Sequence, residues 1–294
     1  MNKIYCMRKI IIVICLYLIV CVLIPYPITL IMKGNDQKKD KVENEVGNSI
    51  SDLNDYMVKI MAPYYEEGDG GEFLKALAIV VRTYYENNEG EDFFSPESWT
   101  YTQMKENWGE YYPAYYEAIL TAIEETDGIV MTMESGEVKP YFCRVSAGYT
   151  RRLNGSCLAM VGCNEDLNSP EYLTVVTLSG DKVLEKIKKY HENVRLQGDV
   201  LESFQIVSRD EAGYVTEFMI GNIIMSGDEA AKIFGLASGN FIISVNGDSM
   251  VFTVKGVGSG YGMSLYSARK KAADGAGYRE ILFYFYKNIS IDSE

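Results

Sequence analysis

Residues 10–32 run for 23 positions without a charged side chain, with Lys3, Arg8 and Lys9 before the run and Lys33, Lys38, Lys39 and Lys41 after it. As a helix the run would be roughly 34 Å long, enough for a bilayer core of about 30 Å. It must be set aside before the fold of the rest is considered. A cleaved signal peptide is the competing reading, because residues 10–24 have the length of a signal h-region. However, no Ala-x-Ala-like site follows, Val20 before Cys21 is large for a lipoprotein cleavage box, and Pro25 and Pro27 would kink the helix near its outer end. The run therefore reads as an uncleaved anchor, with residues 1–33 as stub and transmembrane helix. Positive charge on both flanks weakens the orientation signal. The simplest arrangement is a single-pass cell-membrane protein whose long C-terminal domain, residues 51–294, is extracytoplasmic.

Charge then limits the partners. The chain carries 28 Lys/Arg against 41 Asp/Glu, net −13, with one histidine. Residues 1–41 hold seven Lys/Arg and two Asp, which leaves −18 on residues 42–294. Nucleic acid and anionic lipid headgroups are poor partners for such a surface, whereas a neutral or amino-sugar polymer is compatible with it. At 47% hydrophobic and 23% charged, the composition is that of a folded protein. Cys143, Cys157 and Cys163 lie outside the anchor region; Cys157 and Cys163 could close a small loop, but three is odd and no Cys-x-x-Cys appears. No metal site and no cofactor are expected.

Residues 34–50 are polar and free of aromatics, and read as a linker. Helices are expected at 52–61, 72–85 and 114–126, followed by strands at 129–133 and 138–144 joined by the Glu134-Ser135-Gly136 turn. A helix at 181–191 precedes short strands punctuated by Ala212-Gly213, Gly221-Asn222 and Asn246-Gly247, the last marking a hairpin between 241–245 and 250–255. Helices at 228–234, 265–273 and 278–286 complete the set. A helical first half, then a mixed, mainly antiparallel β region framed by helices, gives an α+β fold behind the transmembrane helix.

Two features could carry chemistry. Lys75 and Arg82 interrupt an otherwise apolar helix seven residues apart, hence on one face and roughly 10 Å apart along the axis. Such cations either snorkel to the surface or line a polar cleft. In residues 256–264 glycine takes every other position, at Gly256, Gly258, Gly260 and Gly262, which permits close approach of a ligand or another backbone, or a tight bend. Tyr261 and Met263 rule out Gly-x-Gly-x-x-Gly, and no Gly-Lys-Ser/Thr follows.

Asp55-Tyr56, Glu72-Phe-Leu-Lys-Ala, Val81-Arg-Thr-Tyr84, Asp127-Gly-Ile-Val-Met-Thr132, Ser146-Ala-Gly-Tyr-Thr150, the 256–264 stretch and Tyr278-Arg-Glu-Ile-Leu282 follow one another as in a known family. In these motifs the chain resembles the stage II sporulation protein D family, related to the amidase-enhancer domain. The resemblance implies a membrane-anchored sporulation protein acting on peptide-free peptidoglycan glycan strands, with a cell-wall amidase or other sporulation proteins as partners. It also implies lytic transglycosylase chemistry. One glutamate protonates the glycosidic oxygen and then serves as base for the sugar's own hydroxyl, leaving an anhydro product, unlike the two-carboxylate hydrolases.

In that family the glutamate falls nine residues after the aspartate matching Asp55 and eight before the glutamate matching Glu72; the residue there is Tyr64. A phenol, with a reference pKa near 10, is a poor acid for an ether oxygen, and losing a positioned general acid costs roughly 10²- to 10⁴-fold. Two family histidines are also replaced, by Cys143 and Ser259. Glu66 and Glu67, in a glycine-containing loop, could substitute for the acid, although a solvated acidic loop is the plainer reading. The resemblance leaves Lys75, Arg82, Gly258, Ser259, Gly260 and Ser264 as the expected glycan-binding set. His191 reads as a surface residue, Tyr111, Tyr112, Tyr115 and Tyr116 as a packed aromatic cluster, and Trp99 and Trp108 as uninformative. Two functions remain: a glycan-binding protein impaired in catalysis, and an active divergent lytic transglycosylase using Glu66 or Glu67 on MurNAc-GlcNAc linkages.

Overall fold

The structure, a computed structural model, describes residues 52–87, 96–196 and 198–293. The 10–32 run and the linker lie outside the described residues, among which no helix is long and apolar enough to cross a membrane. In chain order the helices are α1 (Asp52–Met61), α2 (Gly71–Glu86), α3 (Tyr101–Trp108), α4 (Tyr112–Glu125), α5 (Gly180–Tyr190), α6 (Gly227–Phe234), α7 (Leu265–Ala273) and α8 (Tyr278–Phe285). The strands are β1 (Ile129–Thr132), β2 (Phe142–Cys143), β3 (Leu173–Ser179), β4 (Phe204–Arg209), β5 (Val215–Ile220), β6 (Ile223–Met225), β7 (Phe241–Asn246), β8 (Ser249–Lys255), β9 (Met263–Ser264) and β10 (Ser290–Ser293). The α+β class expected from the pattern is the one observed.

Helix α2 is the axis of the first half. Eleven of its residues, Phe73, Leu74 and all of 76–84, are buried, because α4, β1, α7 and α8 cover it from several sides. Burying one of its large aliphatic side chains contributes about 1.5–3 kcal/mol. Before it, α1 runs into a 3-10 turn at Ala62–Tyr64, where Pro63 fits the first turn because no N–H is needed there. Helix α3 was not anticipated; Thr100 and Gln103 form a capping box that starts it.

The strands at 129–133 and 138–144 do not form the hairpin their connecting turn suggests. Instead β1 pairs antiparallel with β10, and β2 pairs parallel with β9, Phe142 opposite Met263 and Cys143 opposite Ser264. The remaining strands form two antiparallel sheets, β3-β8-β7 and β4-β5-β6. The β7–β8 hairpin forms as its sequence predicts, although the two turn residues are Gly247-Asp248, with Asn246 paired opposite Ser249. Helices α5 and α6 pack on these sheets around a second core that includes Val183, Ile187, Phe218, Phe234, Phe241 and Phe252. Phe234 and Phe252 stack at 5.1 Å, and Phe218 meets Phe241 edge-on at 5.9 Å.

Candidate functional site

Tyr64 closes the 3-10 turn after α1, and its half-buried ring is held on three sides. Phe142 of β2 meets it edge-on at 5.0 Å, the Arg144 guanidinium lies 5.5 Å from the ring centre, and the phenol oxygen accepts the main-chain N–H of Glu97 at 2.8 Å. Burial, reinforced by the Glu97 carboxylate, pushes the phenol above its usual pKa, against the opposing pull of the Glu97 N–H and Arg144. Tyr64 therefore stays protonated at neutral pH and can offer a hydrogen bond but no base. Arg144 is fixed in turn by donating to the Pro63 carbonyl at 2.7 Å, with Glu171 at 3.7 Å.

The loop after Tyr64 is clasped by α7. Arg269 donates to Asp69 at 2.6 Å and to the Tyr64 carbonyl, pairs with Glu66 at 3.0 Å, and lies over the Phe73 ring at 4.6 Å. Burial raises the Asp69 carboxyl despite the arginine. Glu66, Glu67, Tyr266, Arg269 and Lys270 line a cleft of about 260 Å³. Of the two expected substitute acids, Glu66 is thus paired with a guanidinium, while Glu67 is exposed on the loop.

Of the expected glycan-binding residues, Lys75, Arg82 and Ser264 are engaged within the protein, whereas Gly258 packs against Cys143 and Arg144, beside the partners of Tyr64. Arg82 is 1% exposed and donates to the carbonyls of Ile123 at 2.9 Å, Thr126 and Ile129 at 3.2 Å, just past the C-terminus of α4. A cation there satisfies carbonyls that the helix leaves open and complements its dipole. Burial pulls its pKa down, against the opposing carboxylates of Asp127 and Glu86. Lys75 sits between Glu72 at 3.1 Å and Glu125 at 2.8 Å, and Glu72 also accepts the Tyr278 N–H that opens α8 at 2.8 Å. Both cations join helices, and Arg82 cannot reach a polymer in solvent.

Ser264 is likewise inside, at 0% exposure. Its hydroxyl caps α7 and donates to the buried carboxylate of Asp166 at 2.8 and 2.9 Å, which also accepts the Ser146 N–H at 2.7 Å and the Ser267 hydroxyl at 2.8 Å. Desolvation raises Asp166 above the usual carboxyl value, though these donors oppose it.

The glycine alternation serves a close backbone approach within the protein. All four glycines have positive φ; a Cβ on Gly260 would meet the Tyr214 ring at 2.2 Å, and one on Gly262 the Tyr141 carbonyl at 1.6 Å. Gly258 is exposed and Ser259 half-buried, and the Gly260 carbonyl accepts the Arg151 N–H at 2.8 Å. Arg151 is 5% exposed, lies between the rings of Tyr214 and Tyr261, and pairs with Asp210 at 2.7 Å and Asp228 at 2.8 Å, binding the two halves of the fold. Cys143, Cys157 and Cys163 are buried and form no disulfide; burial pushes the Cys163 thiol up to about 12 and raises the Cys143 thiol well above its usual range.

Sequence reasoning missed Glu97 and Arg144, which flank Tyr64. Arg144 carried a signal, since it directly follows the cysteine that replaces a family histidine. Glu97 carried none, lying between helices in a stretch without periodicity. Its side chain accepts from the Trp99 indole N–H at 3.3 Å.

A family model described as stage II sporulation protein matches residues 43–133, the segment that holds Tyr64, Glu66, Glu67, Lys75, Arg82 and Glu97. Stage II sporulation protein D of Bacillus amyloliquefaciens is 29% identical over 196 residues, covering 65% of this chain and 55% of that protein. Stage II sporulation protein D of Bacillus subtilis (strain 168) is 24% identical over 259 residues, covering 81% of this chain and 74% of that protein. The chain thus spans about half the length of the first relative and three quarters of the second.

Proposed function

Because the chain is a divergent member of the stage II sporulation protein D family, we propose that it binds peptide-free glycan strands of peptidoglycan outside the cell membrane and is impaired in cutting them. The observation that carries this reading is the environment of Tyr64. Where the family resemblance calls for a carboxylic acid, this chain has a phenol whose hydrogen-bonding partner is a main-chain N–H and whose proton is held more tightly than usual. A phenol so placed can hold a sugar hydroxyl or ring oxygen by hydrogen bonding. It is a weak acid for the leaving glycosidic oxygen, which is the step a lytic transglycosylase must accelerate.

A peptide-free strand carries one lactyl carboxylate per disaccharide, a charge density below that of nucleic acid, so it is less disfavoured at this acidic surface than a polyphosphate would be. The run at 10–32 would hold the domain at the membrane facing the wall.

A second reading, slow transglycosylation, is favoured by one observation: the Glu97 carboxylate lies close enough to Tyr64 to affect its proton. That makes Glu97 a third candidate acid beside Glu66 and Glu67. To separate the readings, the full chain in detergent micelles is incubated with amidase-treated sacculi, and both co-sedimentation and anhydro-ended sugars are measured. Binding without anhydro product supports the first reading. Product that is lost in Glu97→Gln, Glu66→Gln or Glu67→Gln supports the second, and absence of co-sedimentation removes both.

A further inference from the structure

The chain turns at Tyr64 so that consecutive tyrosines diverge: Tyr64 faces Phe142 and Arg144, and Tyr65 faces α3 and α4. Tyr65 lies 4.6 Å from the ring of Tyr115 and 5.8 Å from Trp108. Four residues before Tyr115, one turn of α4 away, Tyr111 stacks on it at 5.6 Å with only 14° between the planes. The result is a continuous aromatic strip that starts beside the candidate site and runs onto α4.

Its members differ in how much they show. Trp108 is 8% exposed and belongs to the packing beneath; Tyr65 and Tyr115 are half-buried; Tyr111 is 54% exposed. The expectation of an aromatic cluster that only packs holds for the base of the strip and not for its outer face. Lys59 lies over Tyr101 and Lys105 over Tyr112. Among the described residues no cation lies over Tyr65, Tyr111 or Tyr115. Glu67 stands near Tyr65 and Tyr115 and, after partial burial, helps keep both phenols protonated.

These features select a ligand class. A phosphate or nucleic acid would find carboxylates where it needs cations. An aliphatic or prenyl chain would have to cover tyrosine hydroxyls that keep water nearby, at a desolvation cost. A pyranose fits better: its C–H face covers a ring, and its rim of hydroxyls meets phenol and carboxylate oxygens that can accept from it. We propose that the exposed outer face of Tyr111, backed by Tyr115 and Tyr65 behind it, stacks against a sugar ring of a glycan strand that continues toward Tyr64. This deepens the glycan-binding reading and rests on it.

The test uses the full chain in detergent micelles, with amidase-treated sacculi for co-sedimentation and the N-acetylglucosamine tetramer for titration calorimetry. Tyr111→Ala and Tyr115→Ala are each expected to weaken binding about tenfold, and Tyr111→Phe and Tyr115→Phe to stay within about threefold, because the ring and not the hydroxyl provides the contact. Tyr111 is exposed enough that its truncation leaves the fold intact, checked by an unchanged thermal melt; it decides the matter if Tyr115→Ala unfolds. Wild-type binding with no loss in Tyr111→Ala overturns the Tyr111 contact and leaves the glycan reading standing. A loss in Tyr111→Phe as large as in Tyr111→Ala overturns stacking as the mode of contact. Retention only on sacculi that still carry stem peptides makes the occupant a peptide and overturns the proposal. A wild-type chain that binds neither probe fails the glycan reading itself.

Discussion

The main-chain N–H of Glu97 donates to the phenol oxygen of Tyr64 at 2.8 Å, so the segment before α3 is tied to the turn after α1 at the position where a family carboxyl is expected. This bond uses an acceptor lone pair of the phenol and leaves its proton available to donate. Its ring is wedged between Phe142 and Arg144, which fixes the direction in which a side chain at position 64 projects.

Tyr64→Glu should therefore install a carboxyl in a framed position. Partial burial would raise its pKa and Arg144 would lower it, and either way the group is a far stronger acid than the phenol it replaces. Anhydro-ended sugars from peptide-free glycan are expected to form about 10²-fold faster or more than with the wild-type chain, with Tyr64→Phe unchanged from wild type. Equal product from Tyr64→Glu and Tyr64→Phe by mass spectrometry would show that the missing carboxyl is not what limits cleavage.

Arg82 and Lys75 share a helix face but not a role. Removing the buried Arg82 side chain takes a charged donor from the carbonyls of Ile123, Thr126 and Ile129 and leaves a void in the core, so Arg82→Ala should destabilise by about 3 kcal/mol. Arg82→Lys should rescue little, because one ammonium cannot reproduce the guanidinium fork. Lys75→Ala breaks partly exposed ion pairs and should cost about 1 kcal/mol or less. Urea denaturation measures both, and comparable losses would contradict this division.

The contrast also marks what the sequence could convey. The apolar run of α2 and the hairpin signalled by Asn246-Gly247 are local patterns, and both were legible. The spacing of Lys75 and Arg82 identified a shared face, but the carbonyls that Arg82 satisfies come from the end of another helix and leave no mark around position 82. Nor does any local pattern at 129–132 announce that β1 pairs with β10 at the far end of the chain. The 134–136 turn suggested the nearer partner, and contacts distant in sequence decided otherwise. The glycine alternation announced a close approach without saying to what, and the answer is the protein's own 141–147 segment and Tyr214.

Gly262→Ala tests that approach. The new methyl would fall on the Tyr141 carbonyl, and the backbone at Gly262 has φ of 74°, a region L-residues resist. Failure to yield a cooperatively folded chain is expected. Ser259→Ala, between Gly258 and Gly260 but itself without a positive φ, and with its hydroxyl accepting a 3.4 Å bond from the Tyr261 N–H, should shift the melting temperature by no more than about 4 °C. Similar melts for the two variants would mean that the loop can rearrange to admit a side chain.

Asp166 gives a pH dependence whose sign follows from its surroundings. Its carboxyl is raised in the folded chain by burial, against the opposing donors Ser146, Ser264 and Ser267. Between the unfolded value of about 3.9 and the higher native value, the folded chain binds more protons than the unfolded one. This contribution to stability is complete below the unfolded value and is lost as pH rises through the native one. Asp166→Asn removes the titration while keeping a carbonyl oxygen for the Ser146 N–H, and the serine hydroxyls can rotate to accept from its amide. Urea midpoints measured from pH 4 to 7 should then fall less steeply with rising pH in Asp166→Asn than in the wild-type chain. Asp166→Ala, which orphans the same donors, should lose about 2 kcal/mol at every pH. Parallel pH profiles for the wild type and Asp166→Asn would assign the dependence to other carboxylates, with Asp69, also raised by burial, the first to examine.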